Sequence, residues 1–321
     1  MTVPLVRAVV VNWNGEDLLA ACLGSLVRQD LPPGALEIVV VDNDSHDGSV
    51  ALVRQDFPAV RVVQNSTNRG FAGGVNAGLD DLDAPYVALL NNDARFDPEA
   101  LRRMIDVLEA PGNEDVGAVT ALIVLEDPAP DGTRLVNSTG NVVSRTGSAT
   151  DRDWLTPLDR LDAPPDVFGF CGGAVVLRSA ALAQVGHFDE SLFLYYEDTD
   201  LSWRLRAGGW RILFERDAVA WHRHAQSSDS ASGLFRFYNN RNALLVLARY
   251  APLSVVVRAF GRQVLAPVRH VLRRDERPEL LRARLRALVQ AGLRLPGERR
   301  ASRAARRRLD ALGGLAAPFS D

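Results

Sequence analysis

Short apolar runs alternate with helically spaced apolar positions through the first third of the chain. Leu5–Asn12 is a β-branched run, and Asp17–Val27 then sets Leu18, Leu19, Cys22, Leu23 and Leu26 at the spacing of one helix face. Glu37–Val41 reads as a buried strand, stopped by the polar turn Asp42-Asn43-Asp44-Ser45. Ser49–Asp56 predicts a helix, Val60–Gln64 a strand, Gly73–Leu82 a helix and Tyr86–Leu90 a strand. Asp97–Leu108 predicts another helix, with Pro98 just inside its start. This alternation predicts an α/β fold of βαβ units, a mostly parallel sheet flanked by helices. Ligands of such sheets bind beyond the carboxyl ends of the strands. The polar clusters Asn12-Trp13-Asn14, Asp42 to Asp47 and Asn91-Asn92-Asp93 fall there.

The pattern then loosens. Glu126–Arg134 and Thr156–Asp166 are rich in Pro and Asp and read as loops. Val167–Leu177 is apolar and glycine-containing, and Glu197–Ala207 predicts a helix with Leu201 and Leu205 on one face. An apolar segment, Arg211–Ala220, is followed by a Ser-rich stretch, Gln226–Gly233, that reads as a loop, and then by Leu234–Tyr250. No internal repeat of useful length is present.

Composition narrows the class. At 321 residues, the chain suggests a main domain with an appendage. With 47% hydrophobic and 24% charged residues it is an ordinary folded protein rather than a disordered one. No stretch approaches the ~18 uncharged apolar residues of a spanning helix, so an integral membrane protein is not expected. Met1 to Asn14 has Arg7 inside its apolar run and no small-residue cleavage site, so it reads as a first strand rather than a signal peptide. Two cysteines, Cys22 and Cys171, make no disulfide framework and fit a reducing cytoplasm. All 37 basic residues are arginine. The absence of lysine excludes a Walker P-loop and a pyridoxal-phosphate Schiff base.

The net charge of −3 hides an asymmetry, since residues 251–321 hold 16 arginines against 6 acids. The expected organisation is a main α/β domain over 1–233 and a basic helical region over 234–321. Leu281, Leu285, Leu288 and Leu295 fall near one helix face among Arg282, Arg284 and Arg286. Such a basic amphipathic helix suits an anionic membrane surface. The bland alternative is a helix packed on the main domain with a solvated arginine face. Nucleic acid is not expected, because the tail lacks interleaved aromatics and a binding motif.

Four clusters carry candidate chemistry. Asn91-Asn92-Asp93 follows the strand Tyr86–Leu90, where a carboxylate can hold a divalent ion that also grips a diphosphate; the bland reading is a turn. Tyr195-Tyr196-Glu197-Asp198-Thr199-Asp200 sets three acids at a helix start, followed by Arg204. Capping explains one such acid, and a general base is the other reading. Trp221-His222-Arg223-His224 is a weak metal pair by itself, and one histidine completing a metal site begun at Asp93 is more economical. Asn68 to Gly78 is glycine-rich without the G-x-G-x-x-G spacing, yet it can offer backbone N–H groups at a helix start.

In order along the chain, these pieces resemble family 2 glycosyltransferases of the GT-A fold. The matching stretches are Val9 to Gly15, Val40 to Ser49, Asn68 through Asn76, Leu90 to Asp93, Gly172-Gly173-Ala174 and Gly186 to Glu190. They continue with Tyr196 to Leu201 and Arg204, then His222 with Ser227 and Ser228. Within the family the rhamnosyltransferase-like group is closest, and Arg241-Asn242 matches it as well. The resemblance implies that Asp42 contacts the nucleobase near the turn of Asn12 and Asn14, and that Arg69 and Asn76 help hold the nucleotide. It implies that Asp93 and His222 ligate a divalent cation, Mg2+ or Mn2+, with Asn91 and Asn92 supplying neutral oxygens or binding a ribose. Asn91 stands where the fullest form of the metal motif has a second acid. Asp198 is implied as the base, with Glu197 beside it, and Arg204 as a residue that orients the acids or faces the diphosphate.

The implied reaction is inverting transfer from a nucleotide-sugar, dTDP-rhamnose first, to a glycan or lipid-linked acceptor in cell-surface polysaccharide assembly. The setting would be cytoplasmic, peripheral on the inner face of the plasma membrane. A catalytically silent nucleotide-sugar or carbohydrate binder is the competing reading. A sugar nucleotidyltransferase is a third, against which the missing lysine argues. Oligomeric state leaves no mark in the sequence.

Overall fold

The computed structural model describes residues 3–144, 148–223, 232–273, 276–311 and 319–320. The first half runs β1 (Val6–Asn12), α1 (Glu16–Val27), β2 (Leu36–Asp42), α2 (Ser49–Asp56), β3 (Arg61–Gln64), α3 (Gly70–Gly78), β4 (Tyr86–Leu90), β5 (Ala94–Phe96) and α4 (Ala100–Glu109). The middle holds β6 (Val116–Leu125), β7 (Val136–Ser138), β8 (Asn141–Ser144), β9 (Ala149–Asp151) and β10 (Ala174–Arg178). Then come α5 (Ser179–Val185), α6 (Glu197–Ala207), β11 (Arg211–His222), α7 (Gly233–Tyr250), α8 (Leu253–Arg273), α9 (Pro278–Ala301) and α10 (Arg303–Ala311).

Among the described residues the main sheet has nine strands in the order β3-β2-β1-β4-β10-β6-β11-β5, with β7 on β6. Strands β3, β2, β1 and β4 are parallel, as the alternating pattern predicts. The sheet is mixed beyond them: β10 runs antiparallel to both β4 and β6, and β5 runs antiparallel to β11.

The period-2 pleat explains the layers. Val6, Ala8 and Val10 face α1 and α4, packing with Leu19, Leu23, Leu101 and Met104. Val9, Val39 and Val41 face the other way, against Ala72 and Val75 of α3 and Leu201 and Leu205 of α6. Fully burying each leucine contributes about 1.5–3 kcal/mol. Glycines let α3 lie close on the sheet, because a Cβ at Gly78 would stand 2.6 Å from Val9 Cγ1. Close packing thus accounts for part of the glycine-rich run.

The tail folds back onto the main sheet's helices. α9 packs on α7 through Leu280, Ala283, Ala287 and Ala291, so the buried stripe is mostly alanine rather than the expected leucine face. Leu285 is exposed. Several tail arginines turn inward: Arg299 donates to the carbonyls of Ala248 and Ala251, and Arg306 to that of Arg249. Arg249 lies 2.7 Å from each of Asp189, Asp200 and Glu298. Burial opposes its charge, but these three carboxylates keep it protonated. Among the described residues no helix is long and apolar enough to cross a membrane.

Candidate active site

Parallel pairing puts the ends of β1 and β2 side by side, with Asn12 opposite Asp42. The buried Asn12 amide donates toward Asp42 Oδ1 (3.4 Å) and Ser45 Oγ (3.3 Å), and its oxygen accepts from Asn92 Nδ2 (2.9 Å). Asn14, in the left-handed region at φ 50°, accepts from the His46 amide. Asn12, Asn14, Asp42 and Asn92 therefore form one polar group beyond the strand ends. Asn43 ties it to the start of α3 by donating to the Gly70 carbonyl (2.8 Å).

Arg69 and Asn76 sit together in a different role from the nucleotide contact expected of them. Arg69 makes a two-oxygen ion pair with Glu190 (2.8 and 3.0 Å), and Asn76 bonds both the carbonyl and the amide of Phe188. Both side chains clamp the 188–190 loop onto α3. Arg204 lies apart from the strand-end group: it donates to Asp200 (2.9 Å) and to the carbonyls of Val185 and Gly186.

The second group centres on Asp93 and His222. Antiparallel pairing of β11 with β5 sets His222 opposite Ala94, and the Arg223 amide donates to the Asp93 carbonyl. His222 Nε2 lies 3.0 Å from Asp93 Oδ1, and Nδ1 lies 2.5 Å from Asn137 Oδ1. With the Asn137 oxygen as acceptor, Nδ1 carries the ring proton and Nε2 turns its lone pair toward the carboxylate. Among the described residues no three His, Cys, Asp or Glu side chains form a cage. The donor set nonetheless fits Mg2+ or Mn2+ with substrate oxygens completing the shell, because magnesium takes one or two carboxylates plus phosphate. His224, Ser227 and Ser228 lie outside the described residues.

The third group is the acidic start of α6. Asp198 is half-buried in a cleft of about 250 Å³ lined by Asn91, Asp151, Gly172, Gly173 and Tyr196. Its Oδ2 accepts from Asn141 (2.9 Å) and the Gly172 amide (3.2 Å), and its Oδ1 accepts from the Thr199 amide (2.6 Å). Burial pushes its pKa above the ordinary aspartate value, against the pull of these donors. Glu197 beside it is pushed well up by burial and by the Asp198 charge, and its Oε2 has no partner among the described residues. Asp200 takes the structural part, buried between Arg204, Arg249 and the Tyr250 hydroxyl.

The turn from β7, on the main sheet, to β8, in a small separate sheet, joins the second and third groups. Asn137 holds His222 and Asn141 holds Asp198, five residues bridging both centres. Gly140 makes the turn at φ +111°, where a Cβ would meet the Gly169 carbonyl at 2.6 Å. The Asn91 backbone amide donates to the Gly173 carbonyl (3.0 Å), next to the glycine that holds Asp198.

Asp151, at the end of β9, went unsingled in the sequence. It lines the Asp198 cleft, and burial, then the Asp198 charge, push its pKa up to about 6 against hydrogen bonds from Ser138 and Cys171. It feels the charge of His222 as well. Asn137 and Asn141 were also missed; the polar run Asn137-Ser138-Thr139-Gly140-Asn141 between apolar residues was the signal for them.

A mixed Rossmann-like sheet, polar turns beyond its parallel strands and buried acids beside them together define a glycosyltransferase of the GT-A fold. The chain belongs to glycosyl transferase family 2, whose family model matches residues 8–185. It is an enzyme that transfers a sugar from a nucleotide donor. It is 29% identical over 250 residues to an N-acetylglucosaminyl-diphospho-decaprenol L-rhamnosyltransferase of Mycobacterium tuberculosis, covering 70% of this chain and 79% of that protein. It is 25% identical over 206 residues to the low-salt glycan biosynthesis hexosyltransferase Agl10 of Haloferax volcanii, covering 62% of this chain and 60% of that one. Among solved structures, a mannosyltransferase of Pyrobaculum calidifontis in complex with GDP-Man and Mn2+ shares the fold at TM-score 0.54 and 19% identity, over 98% of this chain and 77% of that one. TarS of S. aureus in complex with UDP-GlcNAc does so at TM-score 0.56 and 17% identity, over 96% and 92% of the two chains.

Proposed function

We propose that the protein is an inverting, divalent-cation-assisted rhamnosyltransferase. It takes dTDP-rhamnose as donor and a hydroxyl of a glycan or lipid-linked acceptor, in cell-surface polysaccharide assembly at the inner face of the plasma membrane. The relative from Mycobacterium tuberculosis, a rhamnosyltransferase by name, supports the sugar and the setting. The observation that carries the reading is the turn between β7 and β8, which couples the half-buried Asp198 to the Asp93–His222 pair.

Asn12, Asn14, Asp42 and Asn92 receive the nucleoside. Asn91 lies between this group and Asp198, next to the donor's diphosphate. Arg69 and Asn76 act by holding the 188–190 loop at the edge of the donor site. Asp93 and His222 would hold Mg2+ or Mn2+, which supplies Lewis-acid neutralisation of charge on the leaving diphosphate. Asp198 takes the proton of the acceptor hydroxyl as that oxygen bonds to the anomeric carbon. The bond from that carbon to the diphosphate oxygen breaks with its electron pair going to the nucleoside diphosphate. A single displacement inverts the carbon. Glu197, kept neutral by burial, lowers the negative charge around the base.

A silent binder has no use for two buried acids with raised pKa values, since burying such groups costs stability. The test is a panel of nucleotide-sugars with and without Mn2+ or Mg2+, read by release of the nucleoside diphosphate and by thermal shift, since a ligand bound only by the native state raises Tm. Cation-stimulated release from dTDP-rhamnose ahead of uridine-diphosphate sugars supports the reading. A thermal shift with no release from any donor would make the protein a binder instead.

A further inference from the structure

A second, larger cleft opens beside the catalytic one. Its volume is about 730 Å³, and Tyr196 and Asn239 wall both. α8 supplies Arg262, Arg269, His270 and Arg273 to its lining, α9 supplies Arg284, and no carboxylate appears among the described lining residues. Glu276 stands near it, 2.8 Å from Arg284 and 3.6 Å from Arg236, and its charge also reaches His270. Arg269 and Arg273 make no ion pair among the described residues. So concentrated a set of arginines next to a transferase centre is built for phosphate oxygens, which guanidinium forks grip in pairs.

The same helix carries a second exposed surface. Val257, Val264, Leu265, Val268, Val271 and Leu272 are 49–79% exposed. At helical spacing they cover an arc of about 120°, adjoining the arc of Arg262, Arg269 and Arg273. Leu265 belongs to both, exposed and lining the arginine cleft. The third side of α8 is packed through Val256 and Pro267. Side-by-side apolar and basic strips suit a helix lying in the headgroup boundary of a bilayer.

Resting on the glycosyltransferase reading, we infer that this face is the acceptor site for a membrane-embedded glycolipid whose sugar is joined to its lipid through a diphosphate. The diphosphate lies on Arg262, Arg269 and Arg273. The hydrocarbon leaves along Val264, Val268 and Leu272, and the sugar hydroxyl passes Tyr196 to reach Asp198. This moves the expected membrane contact from the tail helix around Leu285 to α8.

The test uses the full chain, the donor identified above and three acceptors carrying the same glycan: a polyprenyl diphosphate in vesicles, a short water-soluble alkyl diphosphate, and an alkyl glycoside without phosphate. In Arg269→Ala/Arg273→Ala the KM for the polyprenyl diphosphate acceptor should rise at least about tenfold, since bonds to charged groups of this kind are worth 1.4 kcal/mol or more. Donor hydrolysis and the KM for the phosphate-free glycoside should stay within about twofold, by the same scale. Val268→Asp/Leu272→Asp should lose sedimentation with phosphatidylglycerol–phosphatidylcholine vesicles, read without donor and so independent of catalysis. Equal KM changes for phosphate-bearing and phosphate-free acceptors would overturn the inference, and so would a rise in donor KM, which would assign the cleft to the nucleotide. A soluble diphosphate acceptor used as well as the polyprenyl one, together with unaltered vesicle binding, would sink the lipid assignment. Loss of all donor turnover in the unaltered protein would instead sink the glycosyltransferase reading and leave the vesicle result standing by itself.

Discussion

Asp198, Glu197 and Asp151 show how one small cleft separates the work of three acids. Asp198 has donors on both oxygens, so its negative form is supported despite burial. Glu197 has an unpartnered oxygen and is held neutral. Replacing the base should cost its typical contribution, so Asp198→Asn should lower kcat by about 10²–10⁴ while the far-UV spectrum and Tm stay close to wild type. Near-wild-type turnover would remove Asp198 from that role. Asp151 yields a different expectation. Its folded pKa of about 6 lies above the ordinary aspartate value of 3.8, so the stability linked to its proton is complete below 3.8 and is lost as pH rises through 6. Asp151→Asn escapes that loss. Its Tm relative to wild type should climb between pH 4 and pH 7, by the equivalent of roughly 2–3 kcal/mol, when measured in chelator; a flat difference would show that Asp151 titrates normally. Asp93, Asp198 and His222 stood out in the sequence because each ends or starts a strongly patterned segment. Asp151 did not, since it is one aspartate in a polar stretch that becomes special only when β9 folds against Cys171.

At the scale of elements, the base depends on the loop that leads into α6. Phe193, Tyr195 and Tyr196 all adopt left-handed backbone, φ 66–70°, a cost on the order of 1–3 kcal/mol each for such side chains. α7 holds them there. The buried Asn242 Nδ2 lies 2.7–2.9 Å from the carbonyls of Leu192, Leu194 and Tyr195, and Arg241 donates to those of Ser191 and Leu192. Asn242→Ala removes the donor shared by the Leu194 and Tyr195 carbonyls, leaving Arg241 on that of Leu192, and should destabilise by about 2–4 kcal/mol in urea unfolding. It should also lower kcat more than the donor KM, because the displaced element carries Asp198. Unchanged kcat at a temperature where the variant is folded would show that the loop keeps its shape unaided. The pattern of β1 to β4 and of α4 was readable because each element shows one clean period and a polar stop, whereas the three-residue β5 between them is too short to show one. β6 was not, since Val116–Leu125 is apolar throughout and packs on both faces, leaving no alternation to choose strand over helix. The antiparallel insertion of β10 between β4 and β6 is likewise a matter of topology that local pattern does not encode.

For the whole molecule, the charge asymmetry foretold a basic region but not its attachment. Arg249, Arg299 and Arg306 are internal ties between tail and catalytic unit, while Arg262, Arg269 and Arg273 of α8 line the cleft beside the catalytic one. The sequence boundary at residue 233 therefore cuts through a shared structure. A fragment of residues 1–233 lacks the Arg249 guanidinium that answers Asp189 and Asp200, and removing one partner of a buried pair costs about 3–5 kcal/mol. It should show no cation-stimulated donor hydrolysis and no cooperative melt; an active, two-state fragment would show that the helices are dispensable.

The Asn242 clasp also has a meaning in time. A ribosome releases the chain from its amino end, so the acids of α6 emerge well before the residue that fixes their approach. The growing polypeptide consequently stays inert toward activated sugars until α7 has been made.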